Sequence, residues 1–131
     1  MEKYESVLKF NNYIVNEINF KRNIKFEQKE EIPIDVSIQS NIKENDTTME
    51  VNLEVKVFEG AEEKNYPFEM LINITGFFNL VNNKEKIDFK PNAVAILYPY
   101  VRAIVSNYTA NANVAPLILP PINVNKLLNK E

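Results

Sequence analysis

The sequence predicts an α+β domain. A four-stranded antiparallel sheet is followed by a long helix, a proline-rich loop and a short C-terminal helix, and an extra helix stands at the N-terminus. Three observations carry this. Four segments between residues 18 and 80 alternate apolar and polar residues with period two, as strands with one buried face do. From Asn92 onward the period becomes helical. The breaks between segments are short and polar, with no repeat and no long linker, so residues 1–131 read as a single domain.

Taken in order, Tyr4, Val7, Leu8, Asn11, Ile14 and Val15 follow spacings of three and four. They predict a short amphipathic helix over residues 4–15, an N-terminal extension (1–16) docked on its own domain. Ile18, Phe20, Arg22, Ile24 and Phe26 then alternate with polar residues and predict a first strand running to Glu27. Lys21, Arg22 and Lys25 are followed at once by Glu27, Glu30 and Glu31, which reads as a mixed, solvated strand rather than a basic patch. Ile32, Ile34, Val36 and Ile38 predict a second strand, with Pro33 at its entrance because proline cannot donate to a ladder. Met49, Val51, Leu53, Val55 and Val57 give the clearest strand, and residues 59–65 read as a hairpin loop. The fourth strand spans 66–80, with Gly76 as a bulge or a point of close approach. Leu71 and Phe77 make its second face partly apolar. After a charged connection, Val94, Leu97, Val101, Ile104, Val105 and Tyr108 form a helical stripe. Pro99 within it predicts that the regular helix starts or kinks there.

Composition excludes several functions. With 45% hydrophobic and 25% charged residues the chain is globular rather than disordered. A net charge of -3 leaves no basic excess for phosphates, so nucleic acid is not an expected partner. The absence of cysteine and histidine removes disulfides, thiolate and imidazole chemistry, and the commonest metal ligands. Asp35, Asp46 and Asp88 lie in separate segments, and two glycines are too few for a phosphate cradle. No enzyme and no cofactor is expected. No signal peptide and no apolar run of about 20 residues is seen, so the expectation is a soluble, cytoplasmic protein without membrane insertion.

The C-terminal quarter is the most specific part. Leu97-Tyr98-Pro99-Tyr100-Val101-Arg102 opens an apolar helical run. Pro116, Leu117, Leu119, Pro121, Ile122, Asn123 and Leu127 follow in a proline-studded loop that leads into the last helix. This order resembles the SecB family, the cytosolic chaperones of bacterial protein export. The likeness covers roughly residues 16–128, including the strand end Phe26-Glu27. It implies an ATP-independent holdase for unfolded or partly folded polypeptides. It also implies a homotetramer, in which two sheets face each other across a dimer and dimers pair through the long helices. Clients would lie in apolar grooves lined by Ile32, Pro33, Ile34, Leu119, Ile122, Val124, Leu127 and Leu128, although each of these also reads as ordinary strand or helix packing. Leu71 and Phe77 would be oligomer interface, and Tyr100, Val101, Ile104, Val105 and Tyr108 core or oligomer interface.

In export chaperones of this family, acidic residues on the first and last strands dock the motor SecA. Here Glu27 is kept, Asn23 replaces one acid, Leu71 takes the place of another, and Glu69 lies nearby in a different register. Nor does an acidic tail precede the final Glu131. Glu27 and Glu69 are the candidates for partner docking, and weak or absent motor binding is expected. SecB-like proteins also serve single antitoxins in toxin-antitoxin systems, where that face is not needed. A non-chaperone oligomeric adaptor with one partner is the alternative reading.

Overall fold

The structure is a computed structural model that describes residues 7–29, 31–83 and 86–129. Its elements are β1 (Val7–Arg22), β2 (Val36–Glu44), β3 (Thr48–Val57), α1 (Ala61–Lys64), β4 (Phe68–Val81), α2 (Lys90–Asn111) and α3 (Val124–Asn129). The four strands form one antiparallel sheet in the order β1-β4-β3-β2. The α2 helix, the loop after it and α3 cover one sheet face.

The expected N-terminal helix is a strand. From Val7 the chain pairs with β4 for 16 residues; Tyr4 lies outside the described residues. Two β-bulges explain the misleading pattern. Leu8, Phe10, Tyr13, Val15, Ile18 and Phe20 oppose Leu80, Phe78, Gly76, Ile74, Ile72 and Met70. Their spacing is therefore two, three, two, three, two, because the ladder skips a residue at Asn11 and again at Asn16. Each extra residue keeps the same face inward but breaks period two, and Val7 and Ile14 on the opposite face complete the spacings of three and four that imitate a helix. Aromatic and β-branched residues, which suit a pleated surface, complete the strand.

The strand also ends sooner than its alternation predicts, at Arg22. The Asn23 carboxamide oxygen accepts the Lys25 N–H (3.0 Å), and the Phe26 N–H bonds the Asn23 carbonyl (3.1 Å). This side-chain turn takes Ile24 and Phe26 out of the ladder. Residues 31–35 form no strand, so β2 begins at Val36 rather than Ile32.

Met49, Val51, Leu53, Val55 and Val57 are buried on one face of β3, and Phe68, Met70, Ile72, Ile74, Phe78 and Leu80 on the same face of β4. Gly76 is a close-approach point, since a Cβ there would lie 2.9 Å from Leu97 Cδ1, and the bulges fall on the partner strand instead. The predicted hairpin loop holds the single turn α1, entered through Gly60 with φ +76°.

Helix α2 runs unbroken through Pro99 and buries Ala93, Val94, Leu97, Tyr98, Val101, Val105 and Thr109. A second face of this helix holds the following loop. Tyr98 Oη donates to the Pro120 carbonyl (2.7 Å), Arg102 Nε to Leu119 (3.1 Å) and Ser106 Oγ to Leu117 (3.1 Å). Thr109 Oγ1 accepts the Leu117 N–H at 2.9 Å. A loop containing Pro116, Pro120 and Pro121 has few N–H groups to satisfy its own carbonyls, so the helix supplies the donors. Leu119 is thereby driven into the core. Asn123 then caps α3 by accepting the Lys126 N–H at 3.0 Å.

The candidate client groove and the family of the chain

At the end of β1, a groove of about 670 Å³ opens between the segments 23–29 and 31–34 on one side and the loop 114–117 on the other. Phe58 and Phe68 form its floor, with ring centroids 5.2 Å apart in an edge-to-face arrangement. Phe26, Ile32 and Ile34 line one wall; Val114, Pro116 and Leu117 line the other. Ile24 on the rim is 88% exposed and Ile34 44%, an unusual exposure for side chains of this size.

The first wall lacks regular structure, yet polar contacts fix it. Asn23 Nδ2 donates to the carbonyls of Ala61 (3.2 Å) and Tyr66 (2.9 Å). Asn65 accepts the Glu27 N–H at 3.0 Å and donates to the Glu27 carbonyl at 2.8 Å. The Phe58 N–H bonds the Asp35 carbonyl at 2.8 Å, while Tyr66 Oη donates to the Asp35 carboxylate at 3.0 Å. That hydrogen bond, helped by burial, holds the Tyr66 phenol above its ordinary pKa. On the rim, Lys25–Glu62 (3.0 Å) and Lys29–Glu27 (3.7 Å) are exposed ion pairs. Lys25 lowers the Glu62 pKa, first through its hydrogen bond and then through its charge. Such pairs steer more than they stabilise.

The expected groove residues divide. Ile32 and Ile34 line the groove, with exposed Pro33 between them. Leu119 and Leu127 are buried core residues, at 0% and 9% exposure, so neither is an open wall. Ile122, Val124 and Leu128 are half-buried against the same core and do not line this groove. The second wall comes a few residues earlier, from Val114 to Leu117. Phe26 and Phe68 read as strand positions, and Phe58 falls between the third strand and the loop that begins at residue 59. A usable signal was Val57-Phe58, where two large apolar residues in succession break period two.

The expected interface divides as well. Val101 and Val105 are fully buried inside the protomer, because the helix presents them to the sheet, so of the two expected roles they take the core. Tyr100, Ile104 and Tyr108 lie on the flank of α2 next to β1. Tyr100 packs on Phe10 (5.5 Å) and Tyr13 (4.5 Å), and Tyr108 on Phe20 (5.4 Å). Val15, Ile18 and Ile96 extend this apolar edge, each more than a third exposed. Leu71 and Phe77 are half-buried on the opposite sheet face. There Asn16 and Asn52 each donate to Asn73 and Thr75, at 2.7–3.0 Å, in an amide network across three strands. Glu69 lies on this open face, opposite Lys21 in register, whereas Glu27 sits at the groove rim.

Residues 7–131 match the family described as preprotein translocase subunit SecB. The chain belongs to the SecB family. An uncharacterized protein of Methanocaldococcus jannaschii is 40% identical over 125 residues, covering 89% of this chain and 79% of that protein. The protein-export protein SecB of Rickettsia akari is 28% identical over 104 residues, covering 77% of this chain and 66% of its own length. Among solved structures, the fold resembles the SecB-like chaperone of Mycobacterium tuberculosis in complex with a peptide from the HigA1 antitoxin. The TM-score is 0.65 at 12% identity, with 88% and 91% of the two chains covered. The sheet, long helix and closing helix are thus a SecB-like fold, and the family is one of protein-export chaperones. No helix among the described residues is long and apolar enough to cross a membrane.

Proposed function

We propose that this chain is an ATP-independent holding chaperone that captures unfolded polypeptide in the groove floored by Phe58 and Phe68. The observation that carries this reading is the apolar groove itself, with Ile24 and Ile34 left exposed beside it. Binding energy comes from burying client side chains, at about 25 cal/mol per Å² before ordering costs, and requires neither cofactor nor catalysis. The working state is a cytoplasmic homotetramer. The apolar edge of Val15, Ile18, Ile96, Tyr100 and Tyr108 is the surface that a second copy covers.

The client range is narrow, and the partner is a single protein such as an antitoxin rather than the export motor SecA. Asn23 supports this. Its amide donates to two carbonyls, a role no carboxylate can fill, so an acidic docking residue is incompatible with this turn. Glu27 is engaged by Lys29, and Glu69 sits across from Lys21. The double substitution Ile32→Ser with Ile34→Ser tests the chaperone reading. Capture of a denatured client should weaken at least tenfold while circular dichroism is unchanged; undiminished capture by the folded variant refutes the groove. An adaptor devoted to one folded partner, by contrast, ignores unrelated denatured proteins altogether.

A further inference from the structure

We propose that Arg22 is the positioning residue that sets the width of this groove; the proposal rests on the chaperone reading and names the residue that tunes it. Arg22 is the last residue of β1, in register with Phe68 of the groove floor. Its Nη2 donates to the carbonyls of Ala112 (2.7 Å) and Asn113 (3.0 Å), some 90 residues later in the chain. Those carbonyls belong to the end of α2. Ala112 is the helix C-cap, and Asn113 follows with φ 60°, the left-handed conformation that commonly terminates helices.

The last turn of α2 carries no basic residue of its own. A 22-residue helix ends in unpaired carbonyls with partial negative charge, and a cation there is favourable. Arg22 supplies it from another element. Because the second wall starts at Val114, immediately after the two capped carbonyls, the same guanidinium fixes where that wall leaves the helix. Arg22 also lines the groove. Farther along, Thr109 Oγ1 holds the Leu117 N–H at 2.9 Å. The wall is therefore pinned at both ends, by Arg22 at 112–113 and by Thr109 at 117. A preformed wall lets a client bind without first ordering the groove.

The test compares the full-length wild type with Arg22→Met, which keeps the stem, and Arg22→Lys, which keeps the charge. Amide hydrogen exchange reports the wall. Binding is read with two labelled, unfolded Gly-Ser peptides that differ only in a central Trp or Val. In Arg22→Met, exchange should accelerate at least tenfold at Val114, whose N–H bonds the Thr109 carbonyl at 3.4 Å, and stay unchanged at Leu117. Trp-peptide affinity should fall about tenfold, and the Trp/Val preference should narrow. Arg22→Lys should recover much of both. Unchanged exchange at Val114 overturns the tether. Faster exchange with unchanged affinity and preference overturns its role in the groove. A wild type that captures neither these peptides nor any denatured protein refutes the chaperone reading instead, while the exchange comparison still decides the tether.

Discussion

Asn23 shows how much one side chain settles. Its carboxamide oxygen turns the chain after β1, and its nitrogen joins that turn to the carbonyls of Ala61 and Tyr66. Asn23→Asp keeps the shape and the oxygen but places a carboxylate against two carbonyl oxygens. The expected cost is about 1–3 kcal/mol in denaturant unfolding at neutral pH, the price of unmet polar groups. The carbonyls disfavour the ionised form, so the folded-state pKa of the new acid rises and the loss grows as pH increases through the carboxylate range. A loss that is the same at pH 3 and pH 7 contradicts this. The sequence showed Asn23 only as an alternating polar position. Its two donors reach residues 38 and 43 positions away, and no local pattern contains them.

At the scale of elements, β3, β4 and α2 were legible because their burial is periodic: Met49 to Val57 alternate without a fault, and α2 repeats its buried stripe from Val94 to Val105; β2 was legible only in its first half, since residues 41–44 read as a polar turn and are strand. The β1 strand was half legible. Its bulges at Asn11 and Asn16 convert a strand pattern into apparent helical spacing. Deleting Asn11 discriminates the two. In a strand the deletion removes the bulge, leaves Phe10 opposite Phe78 and costs about 1 kcal/mol, mainly the side-chain bond to Asn79. In a helix it would rotate the preceding apolar residues by about 100° and strip them from the core. Retained β signal and near-wild-type stability are expected in circular dichroism and urea unfolding. The groove walls were the least legible part, since 23–34 and 112–117 owe their positions to single polar contacts rather than to periodicity. Pro33 and the loop prolines marked irregular chain, but not which end of the loop faces Ile34.

For the whole molecule, two clusters of exposed apolar residues bear on function, the groove and the β1–α2 edge, while among the described residues Val7, Ile14, Val81, Ile87 and Ile118 are exposed elsewhere. The edge predicts assembly. Light scattering with gel filtration should find a tetramer, and Tyr100→Arg with Ile104→Arg should reduce it to a smaller species that stays folded. A wild-type monomer at micromolar concentration would contradict the assembly without touching the groove. The opposite sheet face carries the amide network of Asn16, Asn52, Asn73 and Thr75 beside Val7, Ile14 and Val81, each more than a third exposed. The proposed groove places client contact on the α2 side of the sheet. Site-specific photocrosslinking to an unfolded client tests this most directly. A photoreactive residue at Ile34 or Leu117 should crosslink the client efficiently, and one at Leu71 should not. Crosslinking from Leu71 with silence at Ile34 and Leu117 would contradict the account.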